Sequence, residues 1–283
     1  MFPGQGSQAL GMGAELFSRY PEYVNLANES FKFDLLSLCH SGPENILART
    51  DNAQAVIYVV NALNYMSWLE ENKKPDIVLG HSSGQYNAML AAGMINYQQG
   101  LDLVKHRGQL MAQVKGGAMA AVMRISVGEI IACLKKTDSG KLIDIANDNS
   151  EQQVVISGPE HTIDEVTDVL QQAGGFVIKL KTSGAFHSRY LTDTKSSFMS
   201  ILQKQDFAQA KIKLICNVTA SDIKDPFFSL AEHLTSQVKW RQSIYHILGI
   251  DINAQFVECG QGSTLTNMLR YNKKEYSSLL EKI

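Results

Sequence analysis

Asp76-Ile77-Val78-Leu79-Gly80-His81-Ser82-Ser83-Gly84-Gln85 is the stretch on which the reading of the chain turns. A short apolar run ends at Gly80, and Ser83 to Ala92 continues as a helical stretch closed by Gly93, a common C-terminal cap. The pattern is strand, tight turn, helix. Farther along, apolar runs at Ile212 to Ile215 and Gln255 to Val257 each end in turn-like residues. Helical segments lie between them, such as Pro226 to Thr235, where proline suits the first helical position. This alternation predicts an α/β fold with a parallel sheet.

Between these runs the texture changes. Met119 to Met123, Leu142 to Ala146, Gln153 to Ser157 and Phe176 to Leu180 read as strands, with helices near Val127 to Leu134 and Thr162 to Gln172. The order βαββαβ is that of a ferredoxin-like unit. It starts after Gly116-Gly117 and finishes before Ser183-Gly184. An insertion over residues 119–182 is therefore expected in a larger α/β domain made of residues 1–118 and 183–283. Glycines at both joins predict a cleft between the two parts. Met1 and Phe2 run straight into Pro3-Gly4, the end of an expected strand, so a few further residues are expected upstream.

The 283 residues are 45% hydrophobic, enough for a sizeable core without staples. Lysine plus arginine total 26 against 28 acidic residues, which lacks the basic excess of a nucleic-acid binder. Cys39, Cys133, Cys216 and Cys259 lie far apart and form no C-x-x-C pair or metal-like cluster with histidine. They read as reduced thiols, no metal is expected, and the absence of a leader-like start or a long apolar run makes the cytoplasm the expected compartment, with no membrane partner.

Gly80-His81-Ser82-Ser83-Gly84 is a G-x-S-x-G motif. Between a strand and a helix, flanking glycines let the backbone turn sharply and expose the serine oxygen. The helix start offers unpaired N–H groups, which places the Ser83 amide to bond an oxyanion. The competing reading makes Ser82 a helix cap, with Gln85 completing a capping box. A serine needs a base, and of seven histidines His187 is the best placed, in Gly184-Ala185-Phe186-His187-Ser188 where the chain re-enters the large domain. His81, beside the serine, is expected to point into the packing beneath the turn.

In the helix expected from Gly100 to Val114, the apolar stripe Leu103, Val104, Leu110, Met111 and Val114 contains Arg107. A buried cation needs either a protein carboxylate or a bound anion. Both remain open: an internal ion pair, or a fork that clamps a substrate carboxylate. Gly4-Gln5-Gly6-Ser7-Gln8-Ala9 fits a loose dinucleotide pattern, but Pro3 interrupts the strand and no acidic residue ends a second strand. A glycine-bounded turn can equally aim Gln5 into a site.

Phe2 to Gln8, the Gly80 to Gly84 turn, Arg107-Gly108 with Leu110-Met111, Gly117 to Ala121 and Ala185 to Ser188 together resemble malonyl-CoA:acyl-carrier-protein transacylases. Val154 to Gly158, Asn217-Val218-Thr219 and Glu258-Cys259-Gly260 match further landmarks in order, so the resemblance spans nearly the whole chain. It implies an α/β-hydrolase-like large domain with a ferredoxin-like insertion, Ser82 as nucleophile and His187 as base. It also implies that Gln5 joins the Ser83 amide in an oxyanion hole and that Arg107 binds the malonyl carboxylate. Backbone carbonyls would orient the histidine, one of them from Val238-Lys239-Trp240, with Lys239 where glutamine or arginine is common. Malonyl-CoA would be the substrate, a phosphopantetheine-bearing acyl carrier protein the partner, with no resident cofactor and a monomeric enzyme.

Two positions depart from the family pattern: Gln85 replaces the usual glutamate after the turn, and Glu151 replaces the usual proline after Asn149-Ser150. The whole chain is similar to free-standing acyltransferases that serve modular polyketide synthases, with fatty-acid synthesis as the other setting. The rival reading within the resemblance is a trans-acting hydrolase that clears stalled acyl chains from carrier proteins. Arg107 speaks against it, because uncharged acyl groups have no use for a buried guanidinium. A carrier-docking scaffold with relic residues is the other rival, and intact Ser82, His187, Gln5 and Arg107 speak against that.

Overall fold

The computed structural model describes residues 1–281. Its framework strand β1 (Ile77–Leu79) ends at the serine turn. Thr50–Glu71, the 22-residue central helix, is buried along most of its length, from Ala53 through Leu63. A helix that is apolar all round has no amphipathic period, which is why the pattern reading above assigned nothing there. The arginine helix, Tyr97–Ala112, packs against it so closely that a Cβ at Gly100 would lie 1.8 Å from the Tyr58 hydroxyl. Asn96 and Gln99 form a reciprocal capping box at its start.

A four-stranded sheet follows: β2 (Gly117–Met123), β3 (Asp144–Ser150), β4 (Gln153–Pro159) and β5 (Phe176–Lys179), hydrogen-bonded in the order β3-β4-β2-β5 and antiparallel throughout. Side chains alternate across β2. Ala118, Ala120 and Val122 pack on Ile130, Ile163, Val166 and Leu170 of the helices Val127–Leu134 and Glu160–Gln172. Met119 and Ala121 join the main core with Phe186. Strand β2 is thus apolar on both faces, one turned to these helices and one to the main core.

β6 (Lys213–Ile215) pairs with β1 in parallel, Leu79 opposite Ile215. On the other side of β1, Phe2 forms a parallel bridge with Gly80, donating its N–H to Leu79 O and accepting from His81 N–H. Pro226–Glu232 forms a helix with proline at its start and Asp225 as its cap. Among the described residues no helix is long and apolar enough to cross a membrane.

Two boundary expectations need correction. Gln255 to Val257 is not a ladder strand; Cys259 N–H and the Met1 amino group instead tie this segment to the first residue. The strand expected at Leu142 to Ala146 runs from Asp144 to Ser150, because Ser139–Leu142 forms a 3₁₀ turn. Its second half, Asn147-Asp148-Asn149-Ser150, is polar yet buried. Asp148 makes that tolerable by accepting from Arg241 Nη2 at 2.8 Å and Gln242 Nε2 at 2.6 Å. No alternation rule would have found a strand held by polar partners from another part of the chain.

The Phe2–Pro3 segment lies directly on the start of the helix Gly84–Ala91, where a Cβ on Gly84 would sit 2.2 Å from Phe2 O. Gly84→Ala should therefore lower the melting temperature by at least about 2–4 °C, the effect of about 1 kcal/mol of overpacking. An unchanged melting curve would show that the segment does not rest on the turn.

Candidate active site

Ser82 sits between β1 and the elbow helix, Gly84–Ala91, with φ 48°. This left-handed conformation is costly for a residue with a Cβ. Glycine before and after makes it feasible: a Cβ on Gly80 would lie 2.0 Å from Gly84 O. Ser82 caps nothing. The cap position belongs to Ser83, without a side-chain cap bond, and Gln85 is buried with its Oε1 accepting from Asn217 N–H at 3.0 Å. The capping-box reading is thereby corrected.

His187 reaches the same point from the return segment and is also left-handed, φ 56°. Its Nδ1 lies 2.8 Å from His233 O. A carbonyl only accepts, so Nδ1 carries the proton and Nε2 presents a lone pair. That lone pair is 2.8 Å from Ser82 Oγ, which donates to it. The orienting carbonyl is not that of Lys239, as the resemblance implied. Lys239 O is occupied by Ser243, both N–H and hydroxyl, at the first turn of the helix Trp240–Ile250.

Burial, then the charge of Arg107, pushes the His187 imidazole down to about 3, so it stands as the free base. His233 packs its ring 5.0 Å from that of His187, and burial holds it well below the usual range. Neither ring nitrogen of His233 has a hydrogen-bond partner among the described residues. His81 is packed inward: its ring edge lies against buried Trp240 and its Nε2 is 2.8 Å from Asn149 Oδ1 on β3.

Gly4 presses on the turn, where a Cβ would lie 2.3 Å from His81 O. Gln5 follows. Its side chain donates to Thr50 Oγ1 at 3.3 Å, so its contribution at the turn is its backbone N–H. Neither the Gln5 nor the Ser83 N–H has an acceptor among the described residues. Two free amides beside an activated hydroxyl are what a tetrahedral oxyanion requires.

Arg107 is 1% exposed. Its Nη1 donates to Gln54 Oε1 at 2.6 Å, Nη2 lies 3.5 Å from Ser82 Oγ, and Nε has no acceptor. No carboxylate among the described residues pairs with it, so the internal ion pair is excluded. Burial lowers its pKa from the usual arginine value. With Nη1 held by Gln54, the Nε–Nη2 edge is the one left for a carboxylate to accept two parallel bonds. Gln54 escaped the sequence reading, although a lone amide between Ala53 and Ala55 carries the same polar-among-apolar signal as Arg107. The His233 carbonyl carries no sequence signal at all.

A serine hydroxyl, an imidazole lone pair, two free amides and a buried guanidinium converge on one turn of an α/β fold, an arrangement that suits acyl-transfer chemistry. The chain matches the acyl transferase domain family over residues 1–279 and belongs to it. It is 39% identical over 280 residues to the polyketide biosynthesis malonyl CoA-acyl carrier protein transacylase BaeC of Bacillus velezensis, covering 97% of this chain and 96% of that protein. It is 38% identical to the polyketide biosynthesis protein PksE of Bacillus subtilis and 39% to ThaF of Burkholderia thailandensis, spanning 37% and 24% of their lengths and 99% and 95% of its own. A solved malonyl CoA-acyl carrier protein transacylase from Burkholderia pseudomallei superposes with a TM-score of 0.94 at 37% identity, covering 97% of both chains. A type II polyketide malonyl-transacylase solved in complex with its acyl carrier protein gives 0.90 at 27% identity, covering 96% of this chain and 92% of that one.

The depressed His187 also sets an acid limit on stability. The unfolded imidazole titrates near 6.5 and the native one at about 3. Between those values the unfolded chain binds a proton that the native state refuses, so this group favours unfolding as pH falls. Its contribution is fully present above about 6.5 and is lost at about 1.4 kcal/mol per pH unit below it. Melting temperatures of wild type and His187→Gln between pH 7 and pH 5 should therefore diverge, with the variant losing less. Parallel slopes would mean that the imidazole protonates in place.

Proposed function

We propose that this chain moves a malonyl group from malonyl-CoA to the phosphopantetheine thiol of an acyl carrier protein, through an ester on Ser82. The observation that carries the reading is Arg107: a buried guanidinium without a protein counter-charge, its Nη2 3.5 Å from Ser82 Oγ. A cation left dry beside a nucleophile favours an acyl donor that brings its own carboxylate. The relatives named as malonyl transacylases support the same donor, and the solved complex with a carrier protein supports the same acceptor. We assign residues 1–118 and 183–283 to an α/β-hydrolase-like catalytic domain and 119–182 to a ferredoxin-like insertion. The strand order β3-β4-β2-β5 supports the latter assignment.

In the first half-reaction His187 Nε2 takes the Ser82 proton as Oγ bonds to the thioester carbon. The oxyanion is held by the N–H groups of Gln5 and Ser83. The C–S bond breaks, His187 returns the proton to the departing thiolate, and the malonyl ester remains on Ser82. The carrier thiol then gives its proton to His187 and attacks the ester carbon, and the C–O bond breaks as Ser82 regains the proton. Every bond to the acyl carbon is made by Ser82 or by a thiol, so the cycle calls on no resident cofactor. Supply of polyketide synthesis is the setting most in keeping with BaeC, PksE and ThaF.

Arg107→Ala separates this reading from hydrolysis of neutral acyl chains. Loss of one partner of a desolvated charged contact costs about 2–5 kcal/mol, so malonyl transfer should fall by at least about thirty-fold. Acetyl transfer should hold or rise, and the melting temperature should change only by the loss of the Gln54 hydrogen bond, because no protein ion pair is broken. Intact-protein mass spectrometry with each donor, followed by carrier protein, gives the comparison. Equal losses with both donors would overturn the malonyl assignment.

A further inference from the structure

We propose that Asn217 is a positioning residue for the nucleophile, the single side chain that holds Ser82 in its left-handed conformation. The inference rests on Ser82 being the nucleophile. Three bonds carry it. Asn217 Oδ1 accepts from Ser82 N–H at 2.9 Å, and Asn217 Nδ2 donates to Gly80 O at 2.6 Å. Its own N–H donates to Gln85 Oε1 at 3.0 Å. The side-chain amide therefore ties Gly80 to the nucleophile, and the main-chain N–H of the same residue adds, through Gln85, the first turn of the elbow helix.

Sheet register brings it there. Leu79 pairs with Ile215 in parallel, so two residues beyond each strand end His81 and Asn217 stand side by side. Asn217 is 2% exposed, and Lys239 N–H donates to its carbonyl at 2.9 Å, which closes off its other side. The turn asks for one donor and one acceptor about an amide's width apart. Asparagine supplies both in one plane; an ionised aspartate supplies acceptors only.

Two consequences follow for the chemistry. Ser82 N–H is engaged and withdrawn from the acyl oxygen, which leaves the Gln5 and Ser83 amides as the donors. The φ of 48° at Ser82 is also held by bonds on both sides of the residue, so Oγ stays on the His187 lone pair rather than relaxing away from it. Gln85 then belongs to this device: its amide oxygen fixes the Asn217 backbone, where the family usually carries glutamate.

The test is the rate at which a small uncharged fluorophosphonate labels Ser82, since this probe has no carboxylate for Arg107. Asn217→Ala should label about ten- to a hundred-fold more slowly than wild type, with only a modest fall in melting temperature. Asn217→Asp, nearly isosteric, covers the case in which the alanine variant fails to fold. At pH 8 its ionised carboxylate cannot donate to Gly80 O, and labelling should be at least about ten-fold slow. At pH 5 the protonated acid can both donate and accept, and the ratio to wild type should climb back towards one. A wild-type rate at pH 8, or a deficit that does not change with pH, would overturn the proposal. Ser82→Ala must not label at all; labelling there would instead remove the nucleophile assignment on which the proposal stands.

Discussion

A backbone that must hold a serine in a left-handed conformation at the end of a strand constrains much of this molecule. Ser82 at φ 48° exposes its oxygen only because Gly80 and Gly84 permit their backbones to close to distances no Cβ would allow. The turn is then hemmed in by three separate pieces of chain. Phe2 to Gly4 lie on one side, Asn217 on another, and the return segment brings His187 onto the oxygen. Each piece is far from the others in sequence. The parallel register of β1 and β6 and the bridge between Phe2 and Gly80 are what make them neighbours.

Electrostatics in the site follow from burial rather than from opposed charges. Arg107 and His187 are both dry, and the charge on Arg107 makes a proton on His187 less welcome. The result is a free-base histidine beside an uncompensated guanidinium, a site short of one negative charge. A bound carboxylate would supply that charge and remove the part of the His187 depression that Arg107 causes.

The four-stranded sheet reaches the serine turn through polar contacts made by β3, whose second half has little apolar character. Asn149 receives His81 from the turn, and Asp148 receives Arg241 and Gln242 from the helix Trp240–Ile250. A carboxylate buried at 2% exposure is tolerable only because those donors converge on it. Of these bonds, the one from His81 to Asn149 ties β3 to the residue next to Ser82.

The amino-acid sequence by itself determined the strand–turn–helix at Ser82, the βαββαβ succession between Gly117 and Lys179, and the conflict at Arg107 between charge and apolar surroundings. All three are local patterns, written in glycine placement and in periods of two and 3.6 residues. Only the tertiary structure decided that Arg107 faces Gln54 and Ser82 rather than a carboxylate, that His233 and not Lys239 offers its carbonyl to His187, and that Gln85 serves Asn217 instead of a cap. It alone also disclosed the central helix Thr50–Glu71 and the polar half of β3. The reason is physical. Hydrogen-bond partners and carbonyl directions depend on how elements 25 to 132 residues apart come to rest against each other, and no local periodicity encodes that.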